Sequence, residues 1–242
     1  MPLLPERTNA LSFDCYGTLI DWESGIATAL QPWLTRTGLN LDREDLLKRF
    51  GAVETIVQSE TPGLRYPLVL AETMRRLTRD AGSPATDLET TTFGNSVPDW
   101  PAFPDSAEAL ARLKSRYKLV ILSNVYREGF AASNRKLGVE FDLIITAEDV
   151  GSYKPDDRNF QMLFDRLPSI GSDRSRLVHV AESLYHDHGP AQQFDLPSVW
   201  INRRLGKSGS GATHPPVGVR EPEWVFPSLA SFADAVLADE PR

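Results

Sequence analysis

A chain of 242 residues is long enough for one large domain, or for one domain that carries an insertion. Its hydrophobic fraction of 41% and charged fraction of 24% are those of an ordinary globular enzyme. The net charge of -7 and the lack of any apolar run of about eighteen residues argue against nucleic acid or a membrane as a partner.

The first predicted element is a buried strand over Ala10 to Asp14. It follows a terminus, Met1 to Thr8, that has no long apolar core, so we predict no signal peptide. Apolar residues run into Asp14, and Gly17 then allows a sharp turn, as where a parallel strand presents a carboxylate at the edge of a sheet. Cys15 is the only cysteine, which excludes an intrachain disulfide and favours a reducing, cytoplasmic location.

Helical periodicity dominates the next part of the chain, residues 20–97. Apolar residues recur there at spacings of three and four, as in the set Ile26, Leu30, Trp33, Leu34, Leu46, Leu47, Phe50, Leu70, Met74 and Leu77. Asp42 is a candidate N-cap for the second of these helices. We therefore predict a helical cap over residues 20–97, inserted where it can close over the sheet edge and exclude water.

Strand and helix patterns alternate beyond Pro98. Strands are predicted at Lys118–Leu122, Phe141–Thr146, Leu177–Ala181 and Ser198–Asn202. Helices are predicted near Asp105–Leu113, Glu128–Leu137, Asp157–Leu167, Asp187–Phe194 and Ser228–Leu237, with a Gly, Ser and Pro-rich loop at Leu205–Glu221. This alternation predicts an α/β fold in which residues 1–19 and 98–242 form a parallel sheet with helices on both faces.

Three later segments have the composition needed to surround the Asp14 carboxylate. Each comes near the end of an apolar run; they are Leu122-Ser123-Asn124, Tyr153-Lys154-Pro155-Asp156 and Ala181-Glu182-Ser183 running on to Asp187. A bare Asp-x-x-Gly favours a turn or a helix cap. Thr18, whose hydroxyl can orient a carboxylate, and the helical insertion that follows favour Asp14 as a nucleophile instead.

These segments together resemble the motifs of the haloacid dehalogenase superfamily. Phe13-Asp14-Cys15-Tyr16-Gly17-Thr18-Leu19 resembles the first motif, and the three later segments are similar to the second, third and fourth, in the right order. The resemblance covers nearly the whole chain. It implies a Rossmann-like core and, in this type, a helical cap.

Position 16 is the most informative within that superfamily. Phosphatase members place a second aspartate two residues after the nucleophile, where it protonates the leaving alkoxide. This chain has Tyr16 there, as L-2-haloacid dehalogenases do. A halide leaves without a proton, whereas a phosphatase lacking this acid loses a factor of roughly 10²–10⁴ in rate. The resemblance therefore implies hydrolysis of short 2-haloacids to 2-hydroxyacids through an ester on Asp14.

The resemblance also implies roles for other residues. Lys154 would keep Asp14 ionised, Thr18 would orient it, and Asp187 would orient the attacking water or pair with Lys154. Tyr16, Ser123 and Asn124 would bind the substrate. A cap arginine is expected near the leaving halide, with Arg49 the best positional match and Arg65 the alternative. A small anionic substrate, no cofactor and a possible homodimer are the corresponding expectations.

Three positions depart from the dehalogenase pattern, namely Phe160, Leu184 and Glu182. Phe160 replaces a tyrosine and Leu184 an asparagine, while Glu182 stands where a small polar residue is usual. Because of Glu182, an alternative function remains, that of a Mg²⁺-dependent phosphatase in which Asp14, Glu182 and Asp187 are the metal ligands. A catalytically weak member that binds a ligand or a protein is a third possibility. His179, His186 and His188 do not by their spacing specify a metal site.

Overall fold

The computed structural model describes residues 3–207, 209, 211–216 and 218–238. Within them the fold centres on one parallel sheet of six strands in the order β3-β2-β1-β4-β5-β6. The strands are β1 Ala10–Phe13, β2 Lys118–Ser123, β3 Leu143–Thr146, β4 Leu177–Ala181, β5 Ser198–Ile201 and β6 Trp224–Phe226. Because β1 lies between β2 and β4, the residue that follows it, Asp14, stands in the middle of the carboxyl edge.

Helices cover both faces of this sheet. They are α5 Ser106–Lys114, α6 Arg127–Leu137, α7 Ala147–Val150, α8 Arg158–Arg166, α9 Gly189–Gln193 and α10 Leu229–Leu237. Successive side chains of a strand point to opposite faces, so Ile121 packs in the core with α6, while Val120 and Leu122 pack in a second core with Phe160 of α8. The buried apolar strands and the α/β fold class predicted from sequence are confirmed.

Four α-helices, and no described strand, lie between β1 and α5. They are α1 Trp22–Thr37, α2 Arg43–Glu60, α3 Tyr66–Asp80 and α4 Asp87–Gly94. Asp42 caps α2 as expected, because its carboxylate accepts a hydrogen bond from the Asp45 amide at 3.0 Å. The two connections to the core run side by side, with the Asp21 amide donating to the Pro101 carbonyl at 2.8 Å. We call α1–α4 the cap helices.

A segment that follows β5 packs against the cap helices. Arg204 binds Glu23 of α1 at 2.7 Å and also contacts Glu44 of α2. The Ala212 amide donates to Glu23 at 3.0 Å. Gly51 of α2 lies so close that a Cβ there would stand 1.9 Å from the Ala212 carbonyl oxygen. The core therefore contacts the cap helices through this segment, in addition to the two chain connections that join the core to the cap helices.

Two local details differ from the sequence-based prediction. The helix predicted over 187–194 is a π-helical turn at Leu184–His188 followed by the short α9. Strand β6 was not predicted, because its three residues follow a loop rich in Gly, Ser and Pro. Residues 208, 210 and 217 of that predicted loop, and the ends of the chain at 1–2 and 239–242, lie outside the described residues. Over the described part, no helix is both long enough and apolar enough to cross a membrane.

Candidate active site

Asp14 is held at the end of β1 by two side chains. Its carboxylate is 5% exposed and accepts hydrogen bonds from Thr18 Oγ1 at 2.8 Å and from Lys154 Nζ at 2.8 Å. The turn that follows needs Gly17, whose φ of +94° is a left-handed value that other residues rarely adopt. Thr18 Oγ1 also accepts from the Glu182 amide at 2.9 Å, which ties the ends of β1 and β4 together.

Lys154 lies under the site and is only 1% exposed. Its ammonium donates to Asp14 at 2.8 Å, to Asp187 at 2.6 Å and to the Leu122 carbonyl at 3.0 Å. These bonds use all three N–H groups of the lysine. Asn124 fixes the backbone of Lys154, because its amide donates to the Lys154 carbonyl at 3.0 Å and accepts from the Lys154 amide at 2.7 Å.

The ionisation of these three groups follows from burial and from each other's charge. Burial raises the pKa of Asp14, and the charge of Lys154 only partly opposes this effect. Burial also disfavours ionised Asp187, but Lys154 and a hydrogen bond from His179 outweigh it and hold the pKa of Asp187 well below its usual range. Burial would lower the pKa of Lys154, yet the two carboxylates raise it. Lys154 and Asp187 are therefore a charged pair, and Asp14 is the less strongly stabilised carboxylate.

Asp187 has one engaged and one free oxygen. Oδ1 meets Lys154 and also His179 Nε2, at 2.9 Å, and the other ring nitrogen of His179 bonds Ser12 Oγ at 2.9 Å. Oδ2 is buried and makes no hydrogen bond to a described residue. Asp187 is thus fixed in orientation while one of its acceptor oxygens remains available in the pocket.

The pocket around Asp14 lies between the sheet edge and the cap helices and has a cavity volume of about 40 Å³. The core contributes Asp14, Tyr16, Asn124, Lys154, Glu182, Ser183, His186, Asp187 and Thr213, and the cap helices contribute Trp22, Glu54, Gln58 and Tyr66. A space of this size suits a small molecule rather than a polymer. The structure thus brings together most of the residues predicted to form the site.

Ser123 and Arg49 are placed differently from their predicted roles. Ser123 is buried, is not among the residues that line the pocket, and its hydroxyl makes no hydrogen bond to a described residue. The Arg49 side chain is 55% exposed and pairs with Asp45 at 2.8 Å on the outer face of α2. Arg49 therefore lies outside the pocket in this structure, and the face of α2 that reaches the pocket carries other residues.

Arg65, the alternative cap arginine, does not line the pocket either. Its guanidinium pairs with Glu128 at 2.8 Å and Glu148 at 3.0 Å. Two acidic partners at the surface already compensate its charge. Among the described residues that line the pocket, Lys154 is the only lysine or arginine.

Glu182 lines the pocket just after the end of β4. It is not paired with Lys154, and its Oε2 accepts a hydrogen bond from Thr213 at 3.0 Å. Burial raises the pKa of Glu182 to about 8, so it is largely protonated at neutral pH. The described part of the chain holds no group of three or more His, Cys, Asp or Glu side chains placed to bind a metal ion. As they are placed in this structure, Asp14, Glu182 and Asp187 do not form such a group.

Sequence reasoning missed the polar side chains on the side of the pocket formed by the cap helices, which we call the cap wall. Glu54 is 3% exposed and accepts a hydrogen bond from the Tyr66 hydroxyl at 2.6 Å, and burial raises its pKa to about 7. Gln58 lies one helical turn further along α2. Their spacing of four beside apolar Phe50 and Val57 is a signal that could have placed them on the buried face. Thr213 gave no such signal, because it lies in the Gly, Ser and Pro-rich loop.

Two hydroxyls and a histidine complete the surroundings. The Tyr16 hydroxyl bonds Ser133 Oγ at 2.9 Å, and burial raises the pKa of Tyr16 well above its ordinary value. His186 faces the pocket with Nδ1 bonded to Ser183 Oγ at 3.1 Å, and burial lowers its pKa to about 4. Tyr16 and His186 are therefore both neutral at pH 7, and Tyr16 is a much weaker acid than an aspartic acid.

The comparisons with known proteins relate this chain to one family. The family model of the haloacid dehalogenase-like hydrolases matches residues 8–187. An (S)-2-haloacid dehalogenase from Burkholderia cepacia is 38% identical over 106 residues, which is 43% of this chain and 44% of that protein. The matched region thus spans less than half the length of this curated relative.

Two solved structures show how widely the fold is shared. L-2-haloacid dehalogenase from Xanthobacter autotrophicus, with chloropropionic acid covalently bound, has a TM-score of 0.76 at 18% identity. YfnB from Bacillus subtilis, a HAD-hydrolase bound to magnesium, has the same TM-score and identity. Each comparison covers 96% of this chain and 100% of the other. The fold alone therefore does not decide the reaction, and the residues of the site must.

Proposed function

Because the chain belongs to the haloacid dehalogenase-like hydrolases, we propose that it hydrolyses the carbon–halide bond of a short 2-haloacid through an ester on Asp14. The main support for the proposal is the identity of the residue two positions after Asp14. Tyr16 is neutral, partly buried and bonded to Ser133, so it is a poor acid for a leaving alkoxide. A halide needs no such acid, because it leaves as a stable anion.

In the first step an oxygen of Asp14 attacks the carbon that bears the halogen. The new carbon–oxygen bond takes the place of the carbon–halogen bond, whose electron pair leaves with the halide. Burial keeps bulk water away from the carboxylate, and of the described residues only Thr18 and Lys154 donate hydrogen bonds to it. A carboxylate with few hydrogen bonds is a better nucleophile than a fully hydrated one.

In the second step water attacks the carbonyl carbon of the ester. Oδ2 of Asp187 accepts a hydrogen bond from this water, while Lys154 and His179 hold Asp187 in place. The ester bond to Asp14 breaks, the departing alkoxide oxygen takes up one of the two protons of the water to give the 2-hydroxyacid, and the other proton passes to solvent. The carboxylate of Asp14 is regenerated with one oxygen from water. No step requires a metal.

The substrate carboxylate also needs hydrogen-bond donors. No hydrogen bond joins the backbone N–H groups of Cys15 or Tyr16 to another described residue. Both lie in the turn directly after Asp14, where the chain bends sharply. We assign the substrate carboxylate to these donors, because successive free N–H groups in a turn bind anions.

The test is halide release from 2-chloropropionate, with and without EDTA, beside phosphate release from small phosphate esters with and without Mg²⁺. Halide release that survives the chelator and is lost in Asp14→Asn supports the proposal. Phosphate release that depends on Mg²⁺, without halide release, would replace it with the phosphatase. Turnover of neither class of substrate would favour a binding protein.

A further inference from the structure

Gln58 is the least explained polar residue of the pocket. Its side chain is 7% exposed and lines the pocket from α2. Its carboxamide makes no hydrogen bond to a described residue, so its two N–H donors and its acceptor oxygen are unused by that part of the protein. A largely buried side chain whose amide faces a pocket and has no partner among the described residues is placed to bind a ligand.

Glu54 stands beside Gln58 on the same face of α2. One of its oxygens accepts the hydrogen bond from Tyr66 at 2.6 Å, and the other has no described partner. Residues four apart on a helix are neighbours, so the free carboxyl oxygen and the free carboxamide form one polar patch. We call Glu54 and Gln58 the cap wall pair.

Charge decides what the cap wall pair can bind. Asp14, Glu54, Glu182 and Asp187 bring four carboxyl groups to the pocket. Against them stands Lys154, whose three N–H groups are all bonded, and no arginine is among the described residues that line the pocket. A second anionic group at the cap wall would therefore meet carboxyl groups and no free cation.

We propose that Glu54 and Gln58 form a specificity site for a hydroxyl group on the side chain of the substrate. A hydroxyl can donate to the Glu54 oxygen and accept from the Gln58 amide at the same time. A substrate hydroxyl suits Glu54 in either protonation state, because it can donate a hydrogen bond to the carboxylate or accept one from the neutral carboxylic acid. The proposal rests on the proposed function in placing the reacting carbon at Asp14, and it makes the preferred substrate a hydroxylated 2-haloacid.

The test uses product analogues in binding, so that it does not depend on turnover. Lactate is compared with glycerate, and 2-hydroxybutyrate with 2,4-dihydroxybutyrate, each as both enantiomers, by titration calorimetry. The members of each pair differ by one side-chain hydroxyl. We expect the hydroxylated acid of at least one pair to bind about tenfold more tightly, as one well-made hydrogen bond allows.

Gln58→Leu keeps a similar volume and should reduce that preference to less than about threefold. Gln31→Leu is the control, because Gln31 is exposed on α1 and outside the pocket, and it should leave the preference unchanged. Circular dichroism verifies that each variant is folded. Equal or undetectable binding within both pairs, or a preference that survives Gln58→Leu, overturns the proposal. Halide assays decide the proposed function separately, because the binding result stands whether or not halide is released.

Discussion

Lys154→Met removes the cation on which the site is built. Lys154 is 1% exposed and lies 2.8 Å from Asp14 and 2.6 Å from Asp187, so the variant leaves two buried carboxyl groups facing each other without a counter-ion. Breaking a buried ion pair by removing one partner costs about 3–5 kcal/mol. Since domains are stable by about 5–15 kcal/mol, we expect a folded but markedly weakened protein.

The catalytic effect of Lys154→Met follows from the pKa of Asp14. Burial already raises that pKa, and loss of the lysine removes the main influence that lowers it. Each unit by which the pKa of Asp14 exceeds the assay pH reduces the reactive carboxylate about tenfold. We expect halide release at pH 7 to fall by at least about 100-fold and the acid limb of the pH–rate profile to move to higher pH.

The assay pairs urea unfolding with halide release, both at 15 °C, where the weakened variant stays folded. Lys114→Met is the control: Lys114 is half-buried and pairs with Asp142 at 2.6 Å away from the site. It should cost at most about 1 kcal/mol and leave turnover unchanged. Lys154→Met protein with near-normal turnover and an unmoved acid limb would refute the assigned role of this lysine.

Three other variants test particular contacts. Arg49→Ala should change the Michaelis constant for 2-chloropropionate less than twofold, because Arg49 pairs with Asp45 at the surface; a large rise would return Arg49 to the halide site. Gly51→Ala places a Cβ 1.9 Å from the Ala212 carbonyl oxygen and should lower the free energy of unfolding by about 1–3 kcal/mol, and an unchanged urea midpoint would contradict that contact. Glu54 has a folded pKa of about 7 against an ordinary 4.5, so the stability it contributes is present below pH 4.5 and is lost as pH rises to 7. Glu54→Gln should therefore gain up to roughly 3 kcal/mol relative to the unmodified protein between pH 4 and pH 8, whereas a difference independent of pH would argue against the raised pKa.

The sheet and its central residues could be predicted because their signals are local. Apolar runs identify buried parallel strands, and a carboxylate or a lysine at the end of such a run must reach the carboxyl edge. Asp14 was found this way, whereas Lys154 lies beyond β3 and α7 and was identified through the motif that Tyr153-Lys154-Pro155-Asp156 resembles; the structure joins the two by a hydrogen bond of 2.8 Å. The register of the strands then fixes which ends meet.

The cap wall could not be predicted with the same certainty, because it depends on how α2 is rotated against the core. Periodicity predicts that residues 43–60 are helical, but both the Arg49 face and the Glu54 face carry charge. Packing decides between them: Gly51 approaches the core segment at Ala212, and this turns Glu54 inward. Contacts between distant segments of this kind leave no local pattern in the sequence.

Single turnover in heavy-oxygen water, with enzyme in excess over 2-chloropropionate, tests the central claim most directly. If Asp14 forms the ester, the oxygen of water enters the Asp14 carboxylate first, and the 2-hydroxyacid released in that turnover carries none of it. Mass spectrometry of the peptide that contains Asp14 measures this label, and Asp14→Asn protein provides the blank. Label in the released hydroxyacid, with none in the Asp14 peptide, would mean that water attacks the substrate directly and that Asp14 is not the nucleophile.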